Sequence, residues 1–230
     1  MRGQSFARPH KWYTKDMRLY LSSAGVGNHL TKLVEMVGER RKMLYVKNAG
    51  DHLPSDEHAA HVQEKKAEFE SYGFEFYELD LRDYFAPEKR DILAQILAET
   101  DLLWVGGGNT FVLRRAFRQS GLEDLLPPLL KQDAFVYGGS SAGAIILAKT
   151  LHGAEHGDDP YTIPAGYDEE IIWNGLGLIY PQLAVHVGSD WFGTEAQAMI
   201  DSFETNGLKY ESLQDGDVYI VDGKYEEKLA

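Results

Sequence analysis

The sequence predicts an α/β fold: three layers, with a doubly wound, mostly parallel sheet covered by helices on both faces. Three observations predict it. From Met17 onward, short β-rich runs alternate with longer stretches of helix-spaced apolar residues, and that alternation builds parallel sheets buried on both faces. Two of the strand-to-helix junctions are rich in glycine, Val105-Gly106-Gly107-Gly108-Asn109-Thr110 and Tyr137-Gly138-Gly139-Ser140-Ser141-Ala142-Gly143. Such junctions fall at the carboxyl ends of parallel strands, where sites form. The 230 residues, 43% hydrophobic and 26% charged, are ample for one large core.

The elements follow in order. Arg18 to Ser22 (RLYLS) reads as a strand, His29 to Val37 as a helix, and Lys42 to Val46 as a second strand. Ser55 offers an N-cap to a helix over 56–72. Phe74 to Leu79 alternates with period two, as a strand does. A helix over 88–99 leads to the strand Leu102 to Val105, then helices from Thr110 to Gln119 and over 122–131, then the strand Ala134 to Tyr137. Residues 152–182, rich in Gly, Asp and Pro, read as a long excursion. Beyond it the pattern predicts a strand from Leu183 to Val187 and a helix from Thr194 to Phe203. Strands are expected over 208–213 and 217–221, with Gln214-Asp215-Gly216 as the turn between them. With no repeat or linker, the economical division is an N-terminal extension, 1–16, and one domain, 17–230.

Composition excludes several function classes. Lys and Arg number 23 against 36 Asp and Glu, a formal net charge of −13, so the chain repels phosphate backbones and anionic lipid. No apolar run approaches the roughly 18 residues a membrane span needs. Cysteine is absent, which removes disulfides, thiolate chemistry and Cys-ligated metals together. Residues 1–16 lack the apolar region of a secretory signal, and a cytoplasmic location is the expectation.

The strongest chemical signal is Gly139-x-Ser141-x-Gly143, which fits the GxSxG nucleophile elbow. The turn is tight, and a Cβ two residues to either side of the serine would clash. A helix that begins at the serine aims free N–H groups at a developing oxyanion. The Gly106–Asn109 junction follows another strand of the same sheet, so its amides are placed to supply a second oxyanion donor. As a nucleotide cradle it is incomplete, because GxGxxG is not satisfied and no Gly-Lys-Ser/Thr follows.

Serine needs a base, and among eight histidines His186 is the best placed, at a strand end before Gly188-Ser189-Asp190. His152 and His156 have the spacing of a helical metal pair but lie in a Gly-interrupted segment that reads as surface loop. His52, His58 and His61 flank an acidic stretch and read as solvated. The base needs an orienting carboxylate. Glu155, Asp158, Asp159, Asp168, Glu169 and Glu170 lie between the serine and the histidine, and spacing does not choose among them.

GGGNTF followed about thirty residues later by a strand ending in G-x-SAGA resembles the peptidase E (aspartyl dipeptidase) and cyanophycinase family of serine peptidases, over nearly the whole chain from Met17. The resemblance implies a class I glutamine amidotransferase-like fold, no metal or other cofactor, and a triad in the chain order serine, acid, histidine. It assigns Ser141 as nucleophile, His186 as base, and the N–H groups of Gly108 and Ala142 to the oxyanion. Asp158 is the acid that aligns best, with Asp159 and Glu155 behind it. The implied activity is hydrolysis of small peptides through an acyl-enzyme. An esterase or amidase on the same triad, or a non-catalytic binding module of the same fold, are the rival readings. Small peptides are the expected partner, with a second copy of the chain as a candidate. Two departures bear on specificity: Ser140 stands where aspartyl dipeptidases tend to have Trp, and Phe192-Gly193-Thr194-Glu195-Ala196 lacks the arginine of their G-E-T-R stretch. Trp191 and Phe192 are candidates to line the substrate pocket.

Overall fold

The computed structural model describes residues 17–230; the expected extension, 1–16, lies outside the described residues. In chain order the elements are β1 (Arg18–Ser22), α1 (Leu30–Val37), β2 (Lys42–Val46), α2 (Ser55–Ser71), β3 (Glu75–Leu79), α3 (Arg90–Ala98), β4 (Leu102–Val105), α4 (Thr110–Ser120), α5 (Leu122–Lys131), β5 (Val136–Ser140) and α6 (Ala142–Ile145). After the long excursion come β6 (Gln182–Ala184), α7 (Gly193–Thr205), β7 (Tyr210–Ser212), β8 (Val218–Asp222) and β9 (Tyr225–Leu229).

Seven strands form the main sheet in the order β3-β2-β4-β5-β1-β8-β9. The first five run parallel; β8 is antiparallel to β1, and β9 to β8. Alternation within the strands sends side chains to two separate cores. Leu19, Leu21, Leu44, Val46, Leu103 and Val105 pack with α3, α4, α5 and α7 on one face. Tyr20, Met43, Tyr45, Leu102 and Trp104 pack with Leu33 and Met36 of α1 and Val62 and Phe69 of α2 on the other. Phe69 lies edge-on to Trp104 at 4.9 Å between centroids, a buried aromatic pair worth about 0.5–1.5 kcal/mol beyond the burial of its surface.

The mostly parallel α/β sheet agrees with the expectation, and the differences are local. The strand predicted over 134–137 begins and ends later, so that β5 runs directly into Ser141. Ser55 is the first residue of α2 rather than its cap; Pro54 holds that position. The strand predicted from Leu183 to Val187 stops at Ala184 and leaves the main sheet, pairing in parallel with β7 to form a separate two-stranded sheet. The periodicity missed β9, whose five residues are largely exposed charged or polar groups on a sheet edge, with no apolar alternation to show it.

Candidate active site

The elbow is built by close approach of backbone. Ser141 sits between β5 and α6 at φ 52°, ψ −116°, a strained position for a side chain. Its N–H donates to Ser22 O at 3.1 Å, fixing it to the end of β1. A Cβ on Gly139 would lie 2.4 Å from Gly143 O, and one on Gly143 would lie 2.2 Å from Val105 O. Both glycines of the motif are therefore required by packing, and Tyr137 Oη donates to Gly143 O at 2.7 Å to hold the turn.

His186 follows β6 by two residues, at φ 58°. Two backbone bonds across the small sheet, Leu213 N to Ala184 O and Val187 N to Leu213 O, set its register against the chain leading to Asp215. Ser141 Oγ donates to His186 Nε2 at 3.0 Å, and His186 Nδ1 donates to Asp215 Oδ1 at 2.6 Å; the network assigns this tautomer. Ser23, just past β1, ties the pair from behind: its Oγ accepts from His186 N at 2.7 Å and donates to Asp215 Oδ1 at 2.9 Å. Trp191 Nε1 donates to the other carboxylate oxygen at 3.3 Å. The rings of Trp191 and Phe192 pack on the imidazole at 4.5 and 5.3 Å between centroids.

The acid beside His186 is thus Asp215, and the sequence-based choice of Asp158 is corrected. Asp158 accepts instead from Thr110 N at 2.9 Å and Thr110 Oγ1 at 2.5 Å, at the start of α4. Asp159 accepts from Tyr161 N and Thr162 Oγ1, and Glu155 from Gly153 N. The chain order is serine, histidine, aspartate. The reason is topological. Because β8 is antiparallel to β1, its first residue, Val218, pairs with Ser22, which also pairs with Ser140. The turn leading into β8 therefore opens on the carboxyl edge of the parallel strands, beside the serine. In the sequence this turn was legible only as Gln214-Asp215-Gly216; the signal that singles it out, the direction of β8, is not local.

The two carboxyls differ in their electrostatics. Burial raises that of Asp215, but the hydrogen bonds from His186, Ser23 and Trp191 prevail and hold it below the usual carboxylate range. Burial pushes Asp158 up to about 6 despite its bonds from Thr110.

The Gly106–Asn109 loop lies against the elbow: a Cβ on Gly107 would be 3.1 Å from Ser141 Cβ and 3.7 Å from its Oγ. Asn109 N donates to Ala49 O at 2.8 Å. Among the described residues, the N–H groups of Gly107, Gly108 and Ala142 donate to no protein acceptor. A cleft of about 540 Å³ opens nearby, lined by Glu155, His156, Gly157, Asp159, Tyr161 and Trp173 among others. His152 stacks on Trp173. Among the described residues, no group of three His, Asp or Glu side chains is arranged to hold a metal ion, and no helix is long and apolar enough to cross a membrane.

A serine and a histidine hydrogen-bonded at the carboxyl edge of an α/β sheet is the site arrangement of the serine hydrolases. The chain belongs to peptidase family S51, whose family model matches residues 8–226. It is 36% identical over 136 residues to a Drosophila melanogaster protein named probable alpha-aspartyl dipeptidase, covering 56% of this chain and 53% of that one. An uncharacterized peptidase of Listeria innocua is 31% identical over 100 residues, covering 44% and 46%. The chain spans about half the length of these curated relatives. Among solved structures, a putative peptidase E protein from Listeria monocytogenes superposes with a TM-score of 0.73 at 18% identity, over 93% of this chain and 98% of that one. A peptidase from an acI-B1 Actinobacterium gives 0.62 at 14%, over 94% and 96%. These likenesses bear on the fold, that of peptidase E and consistent with the class I glutamine amidotransferase-like architecture.

Proposed function

We propose that the protein is a serine peptidase acting on small peptides through a Ser141–His186–Asp215 triad. The observation that carries this reading is the unbroken hydrogen-bonded chain from Ser141 Oγ through both imidazole nitrogens to Asp215. Ser141 Oγ attacks the scissile carbonyl as His186 Nε2 takes its proton, and Asp215 holds the Nδ1–H tautomer. The tetrahedral oxyanion is received by the N–H groups of Gly108 and Ala142, which are without other acceptors. His186 then protonates the departing amine, and water, deprotonated by His186, releases the acid from the acyl-enzyme.

The relative's name, alpha-aspartyl dipeptidase, makes acidic substrates the first to consider. The surroundings of the site argue against them. Beyond His186, the stretch Phe192-Gly193-Thr194-Glu195-Ala196 carries no arginine to meet an acidic side chain. Arg115, on the adjacent α4, is buried and donates to the carbonyls of Pro160, Thr162 and Glu170. Dipeptides with neutral first residues are therefore expected to outrun Asp-X.

The test is labelling by a fluorophosphonate, or by a small sulfonyl fluoride where the probe is too bulky, read by intact mass. One adduct on wild type and none on Ser141→Ala or His186→Ala is the expected result. A folded wild type that neither probe modifies would return the chain to a non-catalytic binding role. Labelling with no turnover of any dipeptide, but turnover of esters, would make it an esterase.

A further inference from the structure

Three hydrogen bonds join the oxyanion loop to the excursion that follows the elbow. Asn109 Nδ2 donates to Asp159 O at 2.9 Å, and Thr110 donates from both N and Oγ1 to the Asp158 carboxylate. The other side of the same segment meets the wall of the base. A Cβ on Gly157 would lie 2.1 Å from the Phe192 ring, and Phe192 stands edge-on to His186 at 5.3 Å. Residues 157–159 thus bridge the donor loop and the aromatic cover of the imidazole, while touching neither Ser141 Oγ nor the ring nitrogens.

The Asp158 carboxylate completes the cap of α4 and goes beyond it, accepting the first N–H of the helix and also the Thr110 hydroxyl. Asn109 Oδ1 already caps α4, accepting from Phe111 N and Val112 N. Asp158 takes the amide of Thr110, the one next to the loop, and adds the hydroxyl of the same residue. A charged acceptor makes shorter and stronger hydrogen bonds than a neutral one, so Thr110 is held in one place and the loop ends on a fixed point.

From this geometry we infer that Asp158 is a positioning residue, which fixes the Gly106–Asn109 loop so that its N–H groups point at the developing oxyanion. The inference rests on the triad reading above. The groups that face the carboxylate are the N–H and hydroxyl of Thr110, the N-terminus of α4, and His52 beyond the 48–50 turn. Burial opposes ionisation of this carboxyl, while the Thr110 donors and the positive end of the α4 dipole favour it.

The experiment compares wild type with Asp158→Asn, which keeps an oxygen for Thr110 and removes the charge, and with Thr110→Ser, which keeps both donors. For Asp158→Asn, kcat should fall about 10- to 100-fold with KM within about twofold, the split expected when only transition-state contacts loosen. Affinity for a dipeptide boronic acid, whose serine adduct carries a tetrahedral oxyanion, should fall in parallel. The melting temperature at pH 7.5 should stay level or rise, and Thr110→Ser should retain nearly wild-type kinetics. The amide resonance of Thr110 should shift with a midpoint near pH 6 in wild type and lose that midpoint in Asp158→Asn. Unchanged kcat and boronate affinity would overturn the positioning role. So would loss of probe labelling in Asp158→Asn as complete as in Ser141→Ala, with Asp215→Asn labelling normally, since Asp158 would then be the triad acid. If wild type neither labels nor cleaves, it is the peptidase reading that fails; a Thr110 amide resonance that Asp158→Asn leaves unmoved would separately overturn the Asp158–Thr110 contact on which the positioning role rests.

Discussion

Asp215 and Asp158 flank the Ser141 elbow in opposite surroundings. Asp215 lies in a short turn on the rim, its side chain 35% exposed, with three side-chain donors that favour its charge. Asp158 lies in the excursion, held by a single residue, and burial works against its charge. The contrast shows how the same side chain takes different parts. The carboxylate that orients the imidazole is stabilised by its partners. The one that anchors the loop is ionised at a cost.

Substituting each by asparagine breaks the comparison most sharply. Asp215→Asn is expected to lower kcat/KM by about 10³- to 10⁴-fold, because an amide no longer favours the Nδ1–H tautomer or the imidazolium. The loss for Asp158→Asn should be at least tenfold smaller, measured on the same dipeptide at pH 7.5. Equal losses would remove the distinction between the two.

Stability against pH separates them by sign. The carboxyl of Asp215 is held low in the folded state, so its contribution is present above the ordinary carboxylate range and fades as pH falls through the folded value. That of Asp158 is raised to about 6, so ionisation destabilises the fold as pH rises from about 4 to 6. Urea titrations should therefore show Asp215→Asn less stable than wild type at pH 7.5. Asp158→Asn should be equal to wild type or more stable, by up to about 3 kcal/mol. Both differences should shrink toward pH 3. A destabilised Asp158→Asn at pH 7.5 would contradict this sign.

The smallest effect concerns Trp191, which is 65% exposed and both covers His186 and donates to Asp215. Trp191→Phe keeps a ring on the imidazole and removes one hydrogen bond of about 1 kcal/mol. A drop of about fivefold in kcat is expected. A drop as large as that of Asp215→Asn would mean that the indole N–H, rather than the network as a whole, orders the carboxylate.

The legibility of these regions differs for a physical reason. The elbow is encoded within a few residues: a Cβ on either glycine would lie 2.2 or 2.4 Å from a backbone oxygen, so the requirement is written as Gly139-x-Ser141-x-Gly143. The limb from β6 to β8 carries no such signature. Its strands are three residues long in β6 and β7, too short for periodicity to bound them, and β9 faces solvent. Six acids lie between Ser141 and His186, the family resemblance aligns Asp158 best among them, and Asp215 lies beyond the histidine, outside that interval.

By itself the sequence determined the α/β layering, the nucleophile elbow and the glycine loop beside it, because burial periodicity and steric exclusion of Cβ act over neighbouring residues. It also supplied His186 as the best-placed imidazole. Which carboxylate meets that imidazole was decided by tertiary structure alone. The antiparallel entry of β8 beside β1 brings Asp215 to the carboxyl edge of the sheet, while the excursion carries Asp158 to Thr110. A side chain's partner across the fold depends on strand direction and order, and those follow from how the buried faces pack together rather than from any spacing along the chain.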